Sequence, residues 1–457
     1  MKIPAEILRA YDIRGVVGRS LTPDIVREIG RALGSFGRER GAPAFAVGYD
    51  GRHSGPALAA ALADGLVAVG AEAIDIGMVP TPVAYFAAHH LGCGSCVAIT
   101  GSHNPPEYNG LKMVVAGVTL WGEAIQALGR RIASGDFASG EGRRRNADVL
   151  DAYVERIASD VKLARPMRIV VDCGNGVAGL VAPRLYRRLG CEVEALYCDV
   201  DGDFPNHHPD PSQPENLADM IARLKAGAGE LGFGFDGDGD RLGVVMRDGH
   251  IVFPDRQLML FAADLLERQP GAEIIYDVKS TRLLAPWIER HGGRPLIWKT
   301  GHSLIKAKLK ETGAPLAGEM SGHTFFAERW YGFDDALYAG ARLLEILSRA
   351  PDANPVLAAL PDAPSTPELH WRLAEGEPHA LVARLQQTRP FPGAERIVTI
   401  DGVRVEYADG FGLARASNTT PVIVLRFEAD TPAALARIQE EFRRALAPLK
   451  PEAPLPF

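Results

Sequence analysis

Short apolar runs that end on an acidic residue recur along this chain, each followed by a stretch whose apolar positions are spaced as on one face of a helix. The first, Phe45-Ala-Val-Gly-Tyr-Asp50, leads through an Ala/Leu-rich segment to Gly70 and a second strand pattern, Ala73-Ile-Asp-Ile-Gly77. The second, Ile169-Val-Val-Asp172, continues through a helical stretch to Gly190 and Cys191-Glu-Val-Glu-Ala-Leu196. The third, Ile274-Ile-Tyr-Asp277, passes Leu283 and Ile288 and reaches Gly292 and Gly293. Strand, helix and strand at this spacing predict right-handed βαβ units around mixed or parallel sheets. Three such units in series predict three similar α/β domains.

Turn-forming residues set the boundaries. Ser134-Gly-Asp-Phe-Ala-Ser-Gly-Glu-Gly-Arg143 precedes a helix pattern carried by Leu150, Tyr153, Val154 and Ile157. A second break is expected at the Arg247-Asp-Gly249 turn, after the strand pattern Leu242 to Met246. Five prolines between Pro351 and Pro367 read as a linker. Beyond it, strand patterns at Ile397 to Ile400, Val403 to Tyr407 and Val422 to Glu428 precede a helix pattern from Ala433 to Ala447, which predicts an α+β unit. The expected domains are 1–147, 148–248, 249–360 and 361–457.

Composition narrows the class. With 457 residues, 46% of them hydrophobic, the chain can bury several cores, and its 57 acidic and 50 basic residues are interspersed to a net charge of −7. Beyond the short Arg143, Arg144, Arg145 run there is no basic block for a nucleic-acid or membrane surface. The first fifteen residues lack a signal core, and no apolar run approaches the roughly 18 residues of a spanning helix. A cytoplasmic monomer is expected. Five cysteines, an odd number, predict free thiols; Cys93 and Cys96 form a lone CxxC without further ligands, which reads as small apolar residues entering a strand.

Chemistry is concentrated in four loops. In Asp236-Gly-Asp238-Gly-Asp240-Arg241, three carboxylates alternate with glycines and can converge on a hard cation such as Mg²⁺. An EF-hand fails here, because Arg241 stands where its Gly is needed and Arg247 where its bidentate Glu belongs. The overlapping Gly232-x-Gly234-x-x-Gly237 is no dinucleotide fingerprint, since its last glycine lies in the acidic loop and no helix pattern follows. Thr100-Gly-Ser102-His-Asn104-Pro105 puts a serine on a turn at a strand end. A Ser102/His103 hydrolase pair is disfavoured because neighbours in an extended turn point apart, whereas a phosphorylated Ser102 would need the metal of the acidic loop. Gly318-Glu319-Met-Ser321-Gly-His323 offers groups for sugar hydroxyls, and Arg415-Ala-Ser417-Asn418-Thr419-Thr420 has the equipment of a dianion clamp. Lys112, Lys279 and His302, taken singly, are ordinary surface or core residues.

These four loops, in this order, resemble the α-D-phosphohexomutase superfamily over essentially the whole chain. Ala10-Tyr11-Asp-Ile-Arg14-Gly, Tyr108-Asn-Gly-Leu-Lys112, Phe204-Pro-Asn-His-His-Pro-Asp-Pro211 and Lys299-Thr-Gly-His302 strengthen the likeness. The resemblance implies a central cleft between four domains and interconversion of glucose or mannose 1- and 6-phosphates through a phosphoserine and a hexose 1,6-bisphosphate. It implies Mg²⁺ bound by Asp236, Asp238, Asp240 and the phosphorylated Ser102, with glucose 1,6-bisphosphate as activator. Glu319 and Ser321 would take sugar hydroxyls, and Arg415, Ser417, Asn418 and Thr419 the distal phosphate. Tyr11, Arg14, Arg241, Lys279 and His302 would line the cleft, with Lys112 and His323 as candidate acid and base. Glucosamine mutases of the superfamily usually carry Gln where Met320 stands, which makes phosphoglucosamine mutase the alternative. A Mg²⁺-dependent phosphatase and a noncatalytic sugar-phosphate binder are the readings from other classes.

Overall fold

Thr22 accepts a hydrogen bond from the backbone N–H of Ile25 and Pro23 presets the first turn, so the helix Pro23–Glu39 starts where its orphan donors are met; Ile25, Val26, Ile29 and Leu33 form its buried face. The computed structural model describes residues 3–418 and 420–457 of the chain. Each repeat seen in the sequence is a parallel strand pair joined by a helix. Ala44–Tyr49 pairs with Glu72–Met78, Arg168–Asp172 with Glu192–Leu196, and Glu273–Asp277 with Arg294–Trp298. The intervening helices are Gly55–Val67, Ala182–Arg188 and Leu284–Arg290.

Antiparallel strands extend each of these sheets. In the first, Cys96–Ile99 lies parallel to Ala44–Tyr49, then Tyr108–Val115 and Ile13–Val16 follow antiparallel. In the second, Leu231–Phe235 lies parallel to Arg168–Asp172 and antiparallel to Leu242–Met246, and the turn at Arg247–Gly249 closes a hairpin onto Ile251–Val252. In the third, Leu316–Gly318 lies parallel to Glu273–Asp277 and antiparallel to Thr324–Phe326. The fourth sheet is antiparallel throughout, in the order Leu369–Arg372, Val422–Ala429, Gly410–Ala416, Val403–Tyr407, Arg396–Val398, with helices Glu377–Thr388 and Pro432–Leu446 against it. The chain is therefore α/β: three similar mixed-sheet units in series and a C-terminal α+β unit.

Packing divides the chain differently from sheet membership. One continuous core runs from Ala46 to Leu360 and draws on all three α/β units. The helix Ala336–Leu347 joins the third unit to the second, with Leu337 O accepting from the Tyr186 hydroxyl at 3.1 Å. Phe86 of the first unit packs against Tyr153 and Trp330 of the next two. The fourth unit has a core of its own, including Trp371, Phe427, Ile438 and Phe442.

The proline-rich stretch from Pro351 to Pro367, expected as a linker, is not one along its length, because Asp352 caps a helix at Ala353–Ala358, and Leu357 and Leu360 are buried in the shared core. Proline is compatible with the first turn of a helix, and composition did not distinguish that use from a flexible connection. The remaining connection, 361–367, carries the chain to the fourth sheet. No helix among the described residues is long and apolar enough to cross a membrane.

Candidate functional site

The serine loop follows the buried strand Cys96–Ile99, at the carboxyl edge where α/β sheets present their loops. Ser102 is buried and held at φ 48°, a left-handed conformation that costs a non-glycine residue and persists where surroundings enforce it. The enforcing groups are Asp50 and Arg52. Asp50 Oδ2 accepts from Thr100 Oγ1 at 2.8 Å and from Gly101 N at 3.1 Å. The fully buried Arg52 guanidinium donates to the carbonyls of Ser102 (2.8 Å), Asn104 (2.6 Å), Pro105 (2.5 Å) and Tyr108 (3.0 Å), so one side chain ties down the whole turn. Ser102 and His103 point apart, since Ser102 Oγ donates to Asp236 Oδ2 at 3.1 Å while His103 Nδ1 faces Asp210 Oδ2 at 3.2 Å.

The acidic loop follows Leu231–Phe235. Gly239 takes φ 75°, and a Cβ at Gly237 would collide with the Ser102 carbonyl, so glycine lets the two loops touch. Asp236, Asp238 and Asp240 have no solvent exposure, and each offers an oxygen within 4.8 Å of the others. Oδ1 of Asp238 and of Asp240 lacks a hydrogen-bond partner among the described residues. Buried, converging, under-satisfied carboxylates are a donor set that fits a hard divalent cation. Burial together with Asp240 and Asp238 pushes the Asp236 carboxyl well above its usual range, burial with Asp238 pushes Asp240 to about 6, and Lys112 outweighs burial to hold Asp238 below its usual range, so the three carboxylates crowd a site that favours positive charge. Lys112 supplies part of it. Its ammonium donates to Asp238 Oδ2 at 2.7 Å and to Asp240, and these partners outweigh burial to hold its pKa above the ordinary lysine value. Thr81 Oγ1 also donates to Asp238 Oδ2, at 2.5 Å.

Opposite these loops, Glu319 and Ser321 follow Leu316–Gly318. Glu319 accepts from the N–H of Gly301, and its other oxygen is buried without a partner among the described residues. Burial and the neighbouring Asp277 push its carboxyl up to about 8. Gly301 takes φ 137°, where a Cβ would strike the Tyr11 ring, and it starts the helix His302–Thr312. His302 and His323 are buried and stack with centroids 5.6 Å apart; burial, with Lys306 beside one and Arg241 beside the other, holds both well below the ordinary histidine pKa.

The fourth unit closes the remaining side. Arg415 Nε donates to Asp401 Oδ2 at 2.6 Å, and the Asn418 amide donates to the Tyr11 hydroxyl, which itself donates to Thr300 O at 2.9 Å. Ser417 Oγ accepts from Thr420 N at 3.3 Å. Lys279 donates to Glu368 at 2.5 Å, and Arg14 to Asn104 Oδ1 at 3.0 Å and Asp12 Oδ2 at 2.6 Å. The cleft enclosed by these groups holds about 650 Å³, and all four units line it. Ser102, Arg14, Lys112, Arg241, His323, Tyr11, Lys279, His302, Glu319, Ser321, Arg415, Ser417 and Asn418 all line it, with Asp236, Asp238 and Asp240 behind Ser102 and Lys112. Thr419 lies outside the described residues.

Comparison with known proteins decides the family. Models of phosphoglucomutase/phosphomannomutase match in order: alpha/beta/alpha domain I at residues 5–139, domain II at 151–249, domain III at 253–362 and the C-terminal domain at 368–445. The chain belongs to the phosphoglucomutase/phosphomannomutase family. It is 57% identical over 456 residues to a phosphomannomutase/phosphoglucomutase of Pseudomonas aeruginosa, covering 100% of this chain and 98% of that one. It is 56% identical over 447 residues to a phosphoglucomutase of Neisseria gonorrhoeae, covering 97% of each. The crystal structure of a phosphoglucomutase/phosphomannomutase family protein from Burkholderia thailandensis superposes with TM-score 0.95 at 59% identity over 100% of both chains.

Several residues that organise this family member's cleft were not singled out from its sequence. Asp50 and Arg52 showed only as a strand end, although an acidic residue at that edge two positions before an arginine was a usable signal. Thr81, Asp334 and Lys306 reach the site from elements far away in the chain, and no local pattern marks them.

Proposed function

We propose that this phosphoglucomutase/phosphomannomutase family member interconverts hexose 1- and 6-phosphates of glucose and mannose through a phosphorylated Ser102. The observation that carries the reading is Ser102 Oγ, held on a strained turn with its hydroxyl on Asp236 of a three-carboxylate loop. A phosphoryl group on this oxygen would pass to the free hydroxyl of the bound sugar phosphate: the bond from phosphorus to Oγ breaks, the bond from phosphorus to the sugar oxygen forms, the hydroxyl proton leaves to a base, and the departing Ser102 Oγ takes up a proton from an acid. The hexose 1,6-bisphosphate so formed turns over in the cleft. Its other phosphate then returns to Ser102 Oγ: the serine gives up its proton to a base, the bond from phosphorus to Oγ forms as the bond from phosphorus to the sugar oxygen breaks, and the freed sugar oxygen regains a proton.

Asp236, Asp238 and Asp240 would hold Mg²⁺, which when bound neutralises phosphoryl charge. Lys112 is a fixed cation held on Asp238 and Asp240 of the same loop that Ser102 Oγ meets. His323, kept neutral, is the better proton acceptor of the two candidates. Glu319 and Ser321 would take the sugar 3- and 4-hydroxyls, which roughly exchange places when the sugar reverses and so serve both orientations. Arg415, Ser417, Asn418 and Thr419 would grip the phosphate that is not reacting, with Tyr11, Arg14, Lys279, His302 and Arg241 around it.

The test is a coupled assay from glucose 1-phosphate to glucose 6-phosphate with Mg²⁺ and catalytic glucose 1,6-bisphosphate, run beside mannose and glucosamine phosphates. Ser102→Ala is expected to lose about 10⁴-fold or more in kcat, and intact-mass analysis of the parent chain to show one phosphate that the variant lacks. Near-parental turnover by Ser102→Ala would refute the mechanism, and preference for glucosamine phosphate would move the chain to the other branch.

A further inference from the structure

Behind the two stacked histidines lies a carboxylate that the reaction as drawn does not use. Asp334 has no solvent exposure. Lys306 Nζ donates to its Oδ1 at 2.8 Å. Its Oδ2 lies 3.4 Å from His323 Nδ1 and 3.5 Å from His302 Nδ1. Oδ2 and both Nδ1 atoms are buried and make no hydrogen bond among the described residues, although they lie this close together. Buried polar groups left unpaired carry their full desolvation penalty, so the close approach of these three is itself the observation to explain.

The other face of His323 settles which nitrogen carries the proton. Arg241 Nε donates to His323 Nε2 at 3.2 Å. A guanidinium is a donor without acceptor capacity, so Nε2 must present its lone pair. A neutral imidazole then has its proton on Nδ1, facing Asp334 Oδ2 at 3.4 Å, with Asp240 Oδ1 further off at 3.6 Å. Lys306 keeps Asp334 ionised and able to accept, and is itself held over the face of Tyr85, 4.3 Å from the ring centroid. Asp240, His323 and Asp334 also lie close enough to share a cation, but the Lys306 ammonium already sits on that Asp334 carboxylate. The neighbouring Asp335 points elsewhere, capping the helix Ala336–Leu347 and accepting from Tyr153 and Trp330.

We propose that Asp334 is a positioning residue that fixes the Nδ1–H tautomer of His323, so that its Nε2 lone pair is presented to Arg241 at the cleft wall, with His302 stacked beside it. A carboxylate behind an imidazole sets its tautomer and supports positive charge when the ring takes a proton. Lys306 completes the device from the helix His302–Thr312, which also carries His302. The part of this inference that concerns turnover rests on the mutase reading above; the tautomer does not.

Nitrogen-15 spectra of the histidine side chains in the full chain read the tautomer directly, with His323 assigned by the loss of its signals in His323→Asn. The parental chain is expected to show a protonated nitrogen at Nδ1 of His323 and an unprotonated one at Nε2. Asp334→Asn is expected to convert this to a mixture or to Nε2–H, and to lower kcat by about 10²-fold or more with KM within about threefold. Asp334→Asn/Lys306→Met removes both buried charges; it is expected to regain the thermal stability that the single variant loses, but not kcat. An Nε2–H signal at His323 in the parental chain would overturn the inference, as would recovery of kcat in the double variant, which would make the pair a structural ion pair. A chain with the Nδ1–H signature but no mutase activity would count against the reaction and leave the positioning role standing.

Discussion

The first three units and the fourth are held by different physics. A single apolar core joins the α/β units, whereas the fourth unit keeps a separate core and meets the others mainly through polar groups. Arg404 donates to the carbonyls of Val278 (2.7 Å) and Ser280 (2.6 Å), Arg426 bonds Asp255 and Lys279 O, and Thr281 Oγ1 donates to Glu428 at 2.7 Å. The apolar contact across this joint is small, with Val278 against Phe411 and Leu413. Water can replace a hydrogen bond at modest net cost, but it cannot replace buried apolar surface. The groups proposed to do the chemistry sit on the part that cannot rearrange cheaply. Those proposed to hold the distal phosphate ride on the part that can. The proposed bisphosphate, which must reverse without escaping, would be served by that division; closure of the fourth unit, expected about the whole Pro351 to Pro367 stretch, would then be left to 361–367, because 353–358 is helical and anchored to the body.

The largest effect should come from the shared core. Phe233 is fully buried in the shared core, packed on Tyr186 of its own unit and against Gly340 of the third, and Phe233→Ala is expected to cost about 3–5 kcal/mol. Hydrogen exchange should then show lost protection in all three α/β sheets and unchanged protection in the fourth. Loss confined to the second sheet would refute the single core. The next effect follows from Glu319, whose carboxyl is raised to about 8 in the fold. Between about pH 4.5 and 8 the unfolded chain has released this proton while the native chain keeps it, so native stability falls as pH rises, by up to about 1.4 kcal/mol per pH unit. Denaturant melts across that window should show the slope in the transition of the three-unit body, and Glu319→Gln should flatten it.

Fold class was legible in the sequence because each repeat ends an apolar strand on an acidic residue and resumes on a glycine, and that pattern survives any reshuffling of surface residues. The four chemical loops were legible for a related reason: each packs its polar groups into a few consecutive positions after a strand. The way the units share cores was not. Tyr186, Trp330 and Leu337 read as ordinary apolar positions of their own elements, and nothing local says that they meet across unit boundaries. The same holds for Arg52, which reaches four carbonyls some fifty residues away, and for Asp334, whose neighbour Asp335 looks identical in sequence but caps a helix. Pro355 misled in the opposite sense, since within 351–367 it belongs to a helical turn that anchors the segment to the body.

The polar joint should respond more gently. Arg404→Met removes the guanidinium that lies over the Phe411 ring and strips two buried carbonyls of their donor, a loss of about 1–3 kcal/mol. Small-angle scattering should show a larger radius for this variant without ligand and a parental radius with a sugar bisphosphate, and the kinetic cost should fall mainly on KM. An unchanged radius in both states, or a cost confined to kcat, would mean that the joint is as rigid as the body.

The smallest effect isolates one contact of that joint. In the structure Lys279 is satisfied by Glu368, from the strand-entry segment of the fourth unit, at 2.5 Å. If Lys279 takes the substrate phosphate as proposed, the phosphate must draw the lysine from this carboxylate, so the pair would oppose binding by the worth of one partly exposed ion pair, up to about 1 kcal/mol. Glu368→Gln weakens the competitor while keeping its shape. It should lower KM for the sugar phosphate by about two- to fivefold, leave kcat unchanged, and lose this advantage as salt screens the parental pair. A rise in KM would mean instead that Glu368 orders Lys279 for the phosphate, and that the polar joint is a preformed binding surface rather than a latch that ligand displaces.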